Sequence, residues 1–322
     1  MPSAELLAIR ATLEESSATL SLEPEQALPV PPYRRAFSAS ALNLFADCER
    51  KWYFRYLCNV VEDPGSSAAT YGTAFHAALE HFHQRYPKPS SVERTELQRE
   101  LEQDITRAFA QYRAQFASTI EAQLQERRAQ RTAVRYIDWL VQRSRQAPFV
   151  VIGNETHAPL DLDGFSFTGF IDRLDREEAH DGVTVVDYKT GNIALSATAY
   201  RDEVNAFREF QLPFYYWSRT AAGDRVTRLT LIPLKDPLLE VAPIELEIVP
   251  GYAAPSGKAK RGGLGIAELT AARQRMVSLA QTMAVNTLSN FATTSDPEAC
   301  TYCAYQFACR TRPLTTTDPF GR

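Results

Sequence analysis

The pattern of apolar residues divides the chain into a helical first part and a second part that begins with strands. From Ser38 to about Tyr86 the apolar spacing predicts two helices. A capping box at Ser90 and Glu93 then predicts the start of a long helix, whose apolar residues recur every three to four positions. They are Ile105, Phe109, Tyr112, Phe116, Ile120 and Leu124, with Val134, Ile137 and Val141 on a further segment.

Short apolar runs with strand character dominate the second part. Strands are expected at about residues 148–155, 164–175, 183–189, 227–234 and 239–248. A helix around residues 211–217 separates the third strand from the fourth, and a long helix at 266–291 precedes the C-terminus. This order predicts an α/β fold with a mixed central sheet flanked by helices.

Proline residues mark the first boundary along the chain, in the stretch Leu28-Pro29-Val30-Pro31-Pro32. We therefore expect residues 1–35 to form an N-terminal extension and linker, and residues 36–322 to form one domain. Within that domain, residues from about 88 to 147 are expected to be a helical insertion that covers the active-site groove.

The composition is that of an ordinary soluble globular protein. The 322 residues are 44% hydrophobic and 23% charged, with no apolar run long enough to span a membrane and no secretory signal pattern. We therefore expect a cytoplasmic protein without a membrane partner.

The formal net charge of −4 argues against a nucleic-acid partner unless basic side chains gather locally. Two basic strips could provide such a surface, although charge runs are usually only solvated faces. The first comprises Arg127, Arg128, Arg131, Arg135, Arg143 and Arg145, and the second Lys258, Lys260 and Arg261.

A carboxylate and an ammonium group end one of the predicted strands, in the run Val185-Val186-Asp187-Tyr188-Lys189-Thr190-Gly191. Because side chains alternate along a strand, Asp187 and Lys189 share a face. Such a pair suits phosphate hydrolysis, since Asp187 can hold a divalent metal while Lys189 orients water or offsets negative charge. A solvated salt bridge would use the same two residues.

A second carboxylate, Asp172, lies in the preceding predicted strand, within Gly169-Phe170-Ile171-Asp172-Arg173-Leu174-Asp175. If the two strands pair as neighbours, Asp172 and Asp187 meet at one point, whereas Asp175 is expected at the surface. Two carboxylates and a lysine form a suitable site for Mg²⁺ or Mn²⁺.

These residues resemble the PD-(D/E)XK nuclease superfamily, and specifically its RecB-like branch, which includes AddB-type and CRISPR-adaptation nucleases. In that branch an upstream aspartate, here Asp172, precedes an Asp-x-Lys strand, here Asp187 to Lys189. Three further stretches resemble the branch: the segment Ser38–Cys48, the helix Gly72–Glu80 with His76, and Gln211–Tyr215. The resemblance extends from about Ser38 to Cys309 and implies a restriction-endonuclease-like core.

The resemblance implies a metal-dependent DNA nuclease in which His76, Asp172 and Asp187 hold Mg²⁺ or Mn²⁺. Lys189 would position or activate the attacking water. The implied substrate is single-stranded DNA or DNA ends, with exonuclease action favoured over endonuclease action. DNA repair, recombination or processing of foreign DNA is the implied role.

Three further positions complete the candidate site. Gln211 and Tyr215 are four residues apart, so on a helix they share a face and could contact DNA or steady the site. Glu155 ends another apolar run and could be an additional acidic member. Without the resemblance, His76 would be an ordinary helical histidine, and the Gln211 helix an aromatic packing helix; His81 and His83 are expected at the surface.

Two other roles remain open at this point. The chain could be a non-catalytic DNA-binding or scaffold subunit of a helicase complex, or a partner within a CRISPR-adaptation assembly. The intact Asp187 and Lys189 pair speaks against the first of these.

The C-terminal cysteines Cys300, Cys303 and Cys309 fall within ten residues and indicate a ligand set or a disulfide set. A reducing compartment favours ligands. The resemblance supplies the fourth thiolate as Cys48 and implies a 4Fe-4S cluster that joins the N- and C-terminal segments. Four thiolates equally suit Zn²⁺, so the metal type rests on the resemblance. Cys58 is expected to be a buried apolar residue.

Overall fold

The fold is described here from a computed structural model, over residues 35–60, 67–235, 242–249, 262–284, 291–294, 300 and 303–309. The expected N-terminal extension lies outside this part of the chain, as does the basic strip at Lys258, Lys260 and Arg261. Helices come first along the chain, and a six-stranded sheet with further helices follows.

Within residues 35–60 and 67–146, the chain forms five α-helices. Their bounds are Ala39–Asp47 (α1), Glu49–Trp52 (α2), Ser67–Arg85 (α3), Arg94–Tyr112 (α4) and Thr119–Gln146 (α5). A π-helical turn, Tyr53–Leu57, continues α2. The predicted helical character of this part is therefore confirmed.

The strands form a mixed sheet with the order β1-β4-β5-β6-β7-β8. The bounds are Phe149–His157 (β1), Leu160–Leu162 (β2), Phe165–Phe167 (β3), Phe170–Glu177 (β4), Val183–Lys189 (β5), Val226–Pro233 (β6), Ile244–Val249 (β7) and Gly263–Gly265 (β8). Strand β5 is central: it pairs antiparallel with β4 and parallel with β6. The short strands β2 and β3 pair separately.

Four helices are described in the second part of the chain. They are Ala197–Asn205 (α6), Gln211–Ala221 (α7), Ile266–Ala284 (α8) and Gln306–Cys309 (α9). Helices α6 and α7 connect β5 to β6, as a parallel strand pair requires a crossover. The sequence pattern predicted α7 and α8 but not α6.

Alternation along β5 builds two hydrophobic cores, one on each side of the sheet. Val183 and Val185 belong to the core shared with α1, α7 and α8. Val186 and Tyr188 belong to the core shared with α3, α4 and α5. The predicted mixed sheet flanked by helices is therefore confirmed, and the expected helical insertion forms a structural layer beneath the sheet.

The long helix predicted from residue 93 is interrupted. Ser90 lies in a 3₁₀ turn, and α4 begins after Glu93, so the predicted capping box is wrong. The chain breaks after Tyr112 and restarts at Ser118, whose hydroxyl accepts a hydrogen bond from the Glu121 amide at 3.1 Å. Ser118 and Glu121 have the spacing of a true capping box, which explains the restart. Ile120 and Leu124 are consequently exposed, by 70% and 58%.

Arg173 is fully buried beneath the sheet and organises a polar network. Its Nη1 donates to His83 Nε2 at 2.9 Å, to the Tyr136 hydroxyl at 2.6 Å and to the Tyr188 hydroxyl at 2.9 Å. Asp175 supplies the counter-charge, with Nη2 donating at 2.9 Å. The surface positions expected for Asp175 and His83 are therefore wrong, because a buried guanidinium requires a carboxylate and neutral acceptors around it.

The free energy of unfolding should depend on the protonation of His83. Burial, with the adjacent Arg173 charge, holds the pKa of His83 well below its usual value of 6.5. Below pH 6.5 the folded state therefore binds fewer protons than the unfolded state. As the pH decreases in that range, the free energy of unfolding should fall by up to about 1.4 kcal/mol per pH unit. Chemical unfolding at pH 7.5, 6.5 and 5.5 tests this against His83→Gln, which should show a shallower slope; equal slopes would contradict it.

The first basic strip is only partly a surface. Arg143 is buried and pairs with Glu177 at 3.2 Å, and the Arg128 guanidinium lies over the Tyr71 ring at 5.0 Å. Arg127, Arg131, Arg135 and Arg145 are exposed. The strip therefore presents fewer cations to solvent than its sequence suggests.

Within the described ranges, no helix is both long enough and apolar enough to cross a bilayer.

Candidate active site

The ends of β4 and β5 bring the two predicted aspartates together. The strands pair with Arg173 opposite Val186, so the next position along each strand is Asp172 and Asp187. The Tyr188 amide donates to Asp172 Oδ2 at 2.5 Å, which fixes that carboxylate across the strand pair. The meeting of these carboxylates follows from the antiparallel register.

Asp187 is held by a lysine and an amide. Lys189 Nζ lies 2.8 Å from Asp187 Oδ2, and Gln211 Nε2 donates to Asp187 Oδ1 at 2.8 Å. Burial raises the pKa of Asp187 to about 6, with Lys189 opposing the shift and Asp172 adding to it. A cation beside Asp187 would stabilise its ionised form, which burial alone disfavours.

Lys189 remains a cation in this setting. Burial opposes its charge, but the Asp187 carboxylate more than compensates and the pKa of Lys189 lies above its usual value. Its Nζ also donates to Gln211 Oε1. The ammonium group can therefore orient water and offset negative charge, but it has no free lone pair for accepting a proton.

His76 and Glu155 approach Asp172 from the other side. His76, on α3, places Nδ1 3.3 Å from Asp172 Oδ1. Ligand atoms of His76, Glu155 and Asp172 all lie within 4.8 Å of one another, and all three residues are partly buried. Glu155 has a φ of 43°, a left-handed conformation that is rare for this residue type and often found at functional sites.

The electrostatics of these three residues indicate a cation site. Burial opposes protonation of His76, yet the hydrogen bond and charge of Asp172, followed by Asp187 and Glu155, raise the pKa of His76. Burial and the neighbouring Asp172 raise the pKa of Glu155. In each case the concentrated negative charge favours retaining a positive group among the carboxylates.

The donor set fits a hard divalent ion. One imidazole and nearby carboxylate oxygens suit Mg²⁺ or Mn²⁺, and the strands leave one side of the group accessible. The structure therefore gathers Glu155 with His76 and Asp172, whereas Asp187 is engaged by Lys189 and Gln211. The predicted ligand roles of His76, Asp172 and Asp187 stay predictions.

An open cleft of about 520 Å³ leads to this group. His76 and Glu155 line it together with Thr73, Tyr112 and Thr190, among others. A Cβ atom at Gly72 would lie 2.8 Å from the Thr190 hydroxyl, so glycine permits the close approach of α3 to the end of β5. Tyr112 is the contribution of α4 to this cleft, so most of the helical insertion packs elsewhere.

Gln211 and Tyr215 share one face of α7, as predicted. Gln211 Nε2 donates to the Tyr215 hydroxyl at 2.9 Å, and that hydroxyl donates to the Phe170 carbonyl at 2.6 Å. Gln211 thus contacts Asp187 directly, and Tyr215 contacts Gln211 and the Phe170 backbone. Their predicted contact with DNA stays a prediction.

Two residues that sequence reasoning missed hold α7 in place. The side-chain Nδ2 of Asn43 donates to Glu209 Oε1 at 3.1 Å, and its side-chain Oδ1 accepts from the Phe210 backbone amide at 2.9 Å. Glu209 also accepts from the Gln211 amide at 2.8 Å. Helix α1 therefore fixes the start of the helix that positions Gln211. Asn43 lies within the segment Ser38–Cys48 that resembles the family motif, and this position was the sequence signal that could have identified it.

The four predicted cysteine ligands line one pocket. Cys48, at the junction of α1 and α2, faces Cys300, Cys303 and Cys309, and none of them forms a disulfide. Burial and the three neighbouring thiols raise the pKa of Cys300. Four thiols are the ligand number that a tetrahedral metal or an iron-sulfur cluster requires, and the predicted cluster stays a prediction. Cys58 is exposed, so the buried position expected for it is wrong.

The N- and C-terminal segments also contact each other directly beside this pocket. The Arg50 amide donates to the Ala292 carbonyl at 3.0 Å and its Nε donates to the Phe291 carbonyl at 2.7 Å. The Ala292 amide donates to Glu49 at 3.0 Å. These bonds join the two segments beside the cysteine pocket.

Comparison with known proteins agrees with this geometry. No curated protein matches the sequence. The family model of the PD-(D/E)XK nuclease superfamily matches residues 36–310, which include every candidate side chain described above. The chain therefore belongs to the PD-(D/E)XK nuclease superfamily, whose members are generally metal-dependent nucleases.

Proposed function

We propose that this protein is a Mg²⁺- or Mn²⁺-dependent deoxyribonuclease that hydrolyses phosphodiester bonds in single-stranded DNA or at DNA ends. The observation that supports it best is the convergence of Lys189 and four side chains of metal-binding type where β1, β4 and β5 meet α3. They are His76, Glu155, Asp172 and Asp187. Family membership supports the reaction class.

Each side chain has a distinct part in this proposal. His76, Glu155 and Asp172 would hold a divalent ion, which would supply Lewis-acid activation of water and phosphate. Asp187 completes the acidic site and holds the Lys189 ammonium group. Lys189 offsets the negative charge that develops on the phosphoryl group, because it is already protonated and lies inside the site. Gln211 accepts from Lys189 and donates to Asp187, and it thereby fixes the positions of these two side chains.

The cysteine pocket supports a second component of the proposal, a 4Fe-4S cluster bound by Cys48, Cys300, Cys303 and Cys309. Four thiols lining one pocket supply the ligand number that such a cluster needs. The pocket lies beside the hydrogen bonds that join the two chain segments. The role proposed for the cluster is therefore structural.

Cleavage of end-labelled DNA tests the nuclease proposal. Anaerobically purified protein should cleave single-stranded DNA with Mg²⁺ or Mn²⁺ and should be inactive with EDTA. The size of the labelled products distinguishes stepwise removal of nucleotides from internal cleavage, and duplexes with blunt and frayed ends test the need for an unpaired strand.

Two variants make this assay decisive. Asp187→Asn, purified in the same way, should lose activity and thereby exclude a contaminating nuclease, whereas Asp161→Asn, an exposed carboxylate on β2, should retain it. A folded wild type that binds DNA but does not cleave it under any of these conditions would overturn the proposal and favour a scaffold.

A further inference from the structure

An exposed aromatic side chain lies beside the candidate active site. Phe170 begins β4 and is 57% exposed. The other large hydrophobic side chains that are exposed in the described ranges are all aliphatic: Val60, Ile120, Leu124, Ile152 and Leu195. The Phe170 ring contacts the exposed imidazole of His157, with 5.4 Å between ring centroids and 43° between ring planes. The two rings form an aromatic surface open to solvent.

This aromatic pair is held on a rigid frame. His157 and Phe170 are direct partners in the β1–β4 ladder. The Phe170 carbonyl accepts from the Tyr215 hydroxyl at 2.6 Å, and Thr168 Oγ1 lies 2.9 Å from His157 Nε2. The backbone of the pair is therefore fixed by α7 and by the sheet, although both rings face solvent. A fixed exposed ring loses little entropy when a flat partner stacks on it.

The position of the pair relative to the acidic residues is defined by strand geometry. Phe170 precedes Asp172 by two residues on β4, and His157 follows Glu155 by two residues on β1. Two residues along a strand span about 7 Å. The aromatic pair thus lies two residues along the strands from Asp172 and Glu155. This distance is comparable with the length of one extended nucleotide.

We infer that Phe170 and His157 form a stacking platform for a nucleobase of the DNA strand whose phosphate lies at the carboxylates. This inference rests on the proposed nuclease function and specifies its substrate. A planar base can stack on the Phe170 ring only when its face is not covered by a neighbouring base. The platform therefore selects an unpaired, unstacked nucleotide next to the scissile phosphate and does so without sequence preference.

Binding and cleavage of single-stranded DNA with one abasic position test this platform. In wild type, moving the abasic position along the strand should reveal one site next to the cleaved bond where KM rises by about tenfold. Phe170→Ala should raise KM for intact DNA by a similar factor, with little change in kcat, and should be insensitive to the abasic position. Phe170→Trp should restore the wild-type behaviour.

Two control variants separate stacking from other effects. Phe170→Leu keeps an apolar side chain without a flat ring and should behave like Phe170→Ala, whereas Leu195→Ala, at another exposed apolar position, should match wild type. If Phe170→Ala keeps the wild-type abasic profile, or if Phe170→Leu restores it, the platform is wrong. These comparisons use an active wild type, so a failure of the nuclease proposal would appear separately, as absent cleavage.

Discussion

Asp172→Asn should lower the rate of metal-dependent DNA cleavage by at least about a thousandfold, because one neutral amide replaces the carboxylate shared by both halves of the site. Asp172 contacts His76 on one side and the Tyr188 amide on the other. Asparagine keeps the shape and an oxygen acceptor for that amide, so the strand pair should remain folded. The loss is therefore expected in chemistry and in Mn²⁺ affinity, measured by cleavage kinetics and by metal titration.

A comparison of Asp172→Asn with Lys189→Met separates the contribution of metal binding to cleavage from that of the ammonium group. Methionine retains the apolar stem of Lys189 but no charge, so cleavage should fall by about a hundredfold to a thousandfold. Mn²⁺ binding should persist, because the ligand atoms of His76, Glu155 and Asp172 are unchanged. Lys88→Met, at an exposed lysine paired with Glu178, is the matched control and should cleave normally. Full activity in Lys189→Met would contradict the assigned role.

Cys48→Ser should abolish assembly of the proposed iron-sulfur cluster and lower the melting temperature by on the order of 10 °C. The expected size follows because ligand binding that ties two distant segments together contributes directly to folding free energy. The measurements are iron and sulfide per chain, the visible absorption spectrum and calorimetry on anaerobically purified protein. Wild type should contain iron and sulfide in equal amounts.

Cys58→Ser provides the matched control for this experiment. Cys58 is exposed and does not line the cysteine pocket, so its replacement should leave the cofactor and the melting temperature unchanged. Zinc without sulfide in wild type would replace the iron-sulfur cluster with a tetrahedral zinc site. Loss of iron in Cys58→Ser but not in Cys48→Ser would contradict the assignment of the ligands.

The sheet and the meeting of Asp172 with Asp187 could be predicted because both follow from local alternation. The apolar runs marked the strands, and a short hairpin connection made β4 and β5 neighbours. The position of Lys189 then followed from the two-residue repeat. Distant contacts had no comparable signal: nothing in the local pattern indicates that Asn43 and Glu209 meet and anchor the start of α7.

The buried polar network could not be predicted for a different reason. Charged and titratable side chains are usually exposed, so Asp175 and His83 were expected at the surface. Their burial depends on Arg173, Tyr136 and Tyr188 coming together from three separate elements. Periodicity shows which face a residue occupies, but it does not show whether that face is covered by a helix carrying complementary polar groups.

The helices of residues 88–147 also show that apolar periodicity alone does not reveal which face of an element is buried. The apolar spacing continues through Tyr112, Phe116, Ile120 and Leu124, yet the helix ends at the first of these and a new helix begins only before the third. After the turn, the same spacing faces solvent. Ser118 and Glu121 are a stronger local signal than the periodicity, because the Ser118 hydroxyl accepts from the otherwise free Glu121 amide at the helix start.

The alternation of polar and buried side chains along β5 also guards the chain against misfolding. Asp187 and Tyr188 are adjacent in sequence but project to opposite sides of the sheet: Asp187 accepts from Gln211 on α7, whereas Tyr188 belongs to the core beside α3, α4 and α5. A slip of β5 by one residue would place the Asp187 carboxylate in that core and would move the Tyr188 hydroxyl away from Arg173. A misregistered chain would therefore bury one unpaired charge and lose a partner of another, so the residues that shape the candidate site also penalise the nearest folding error.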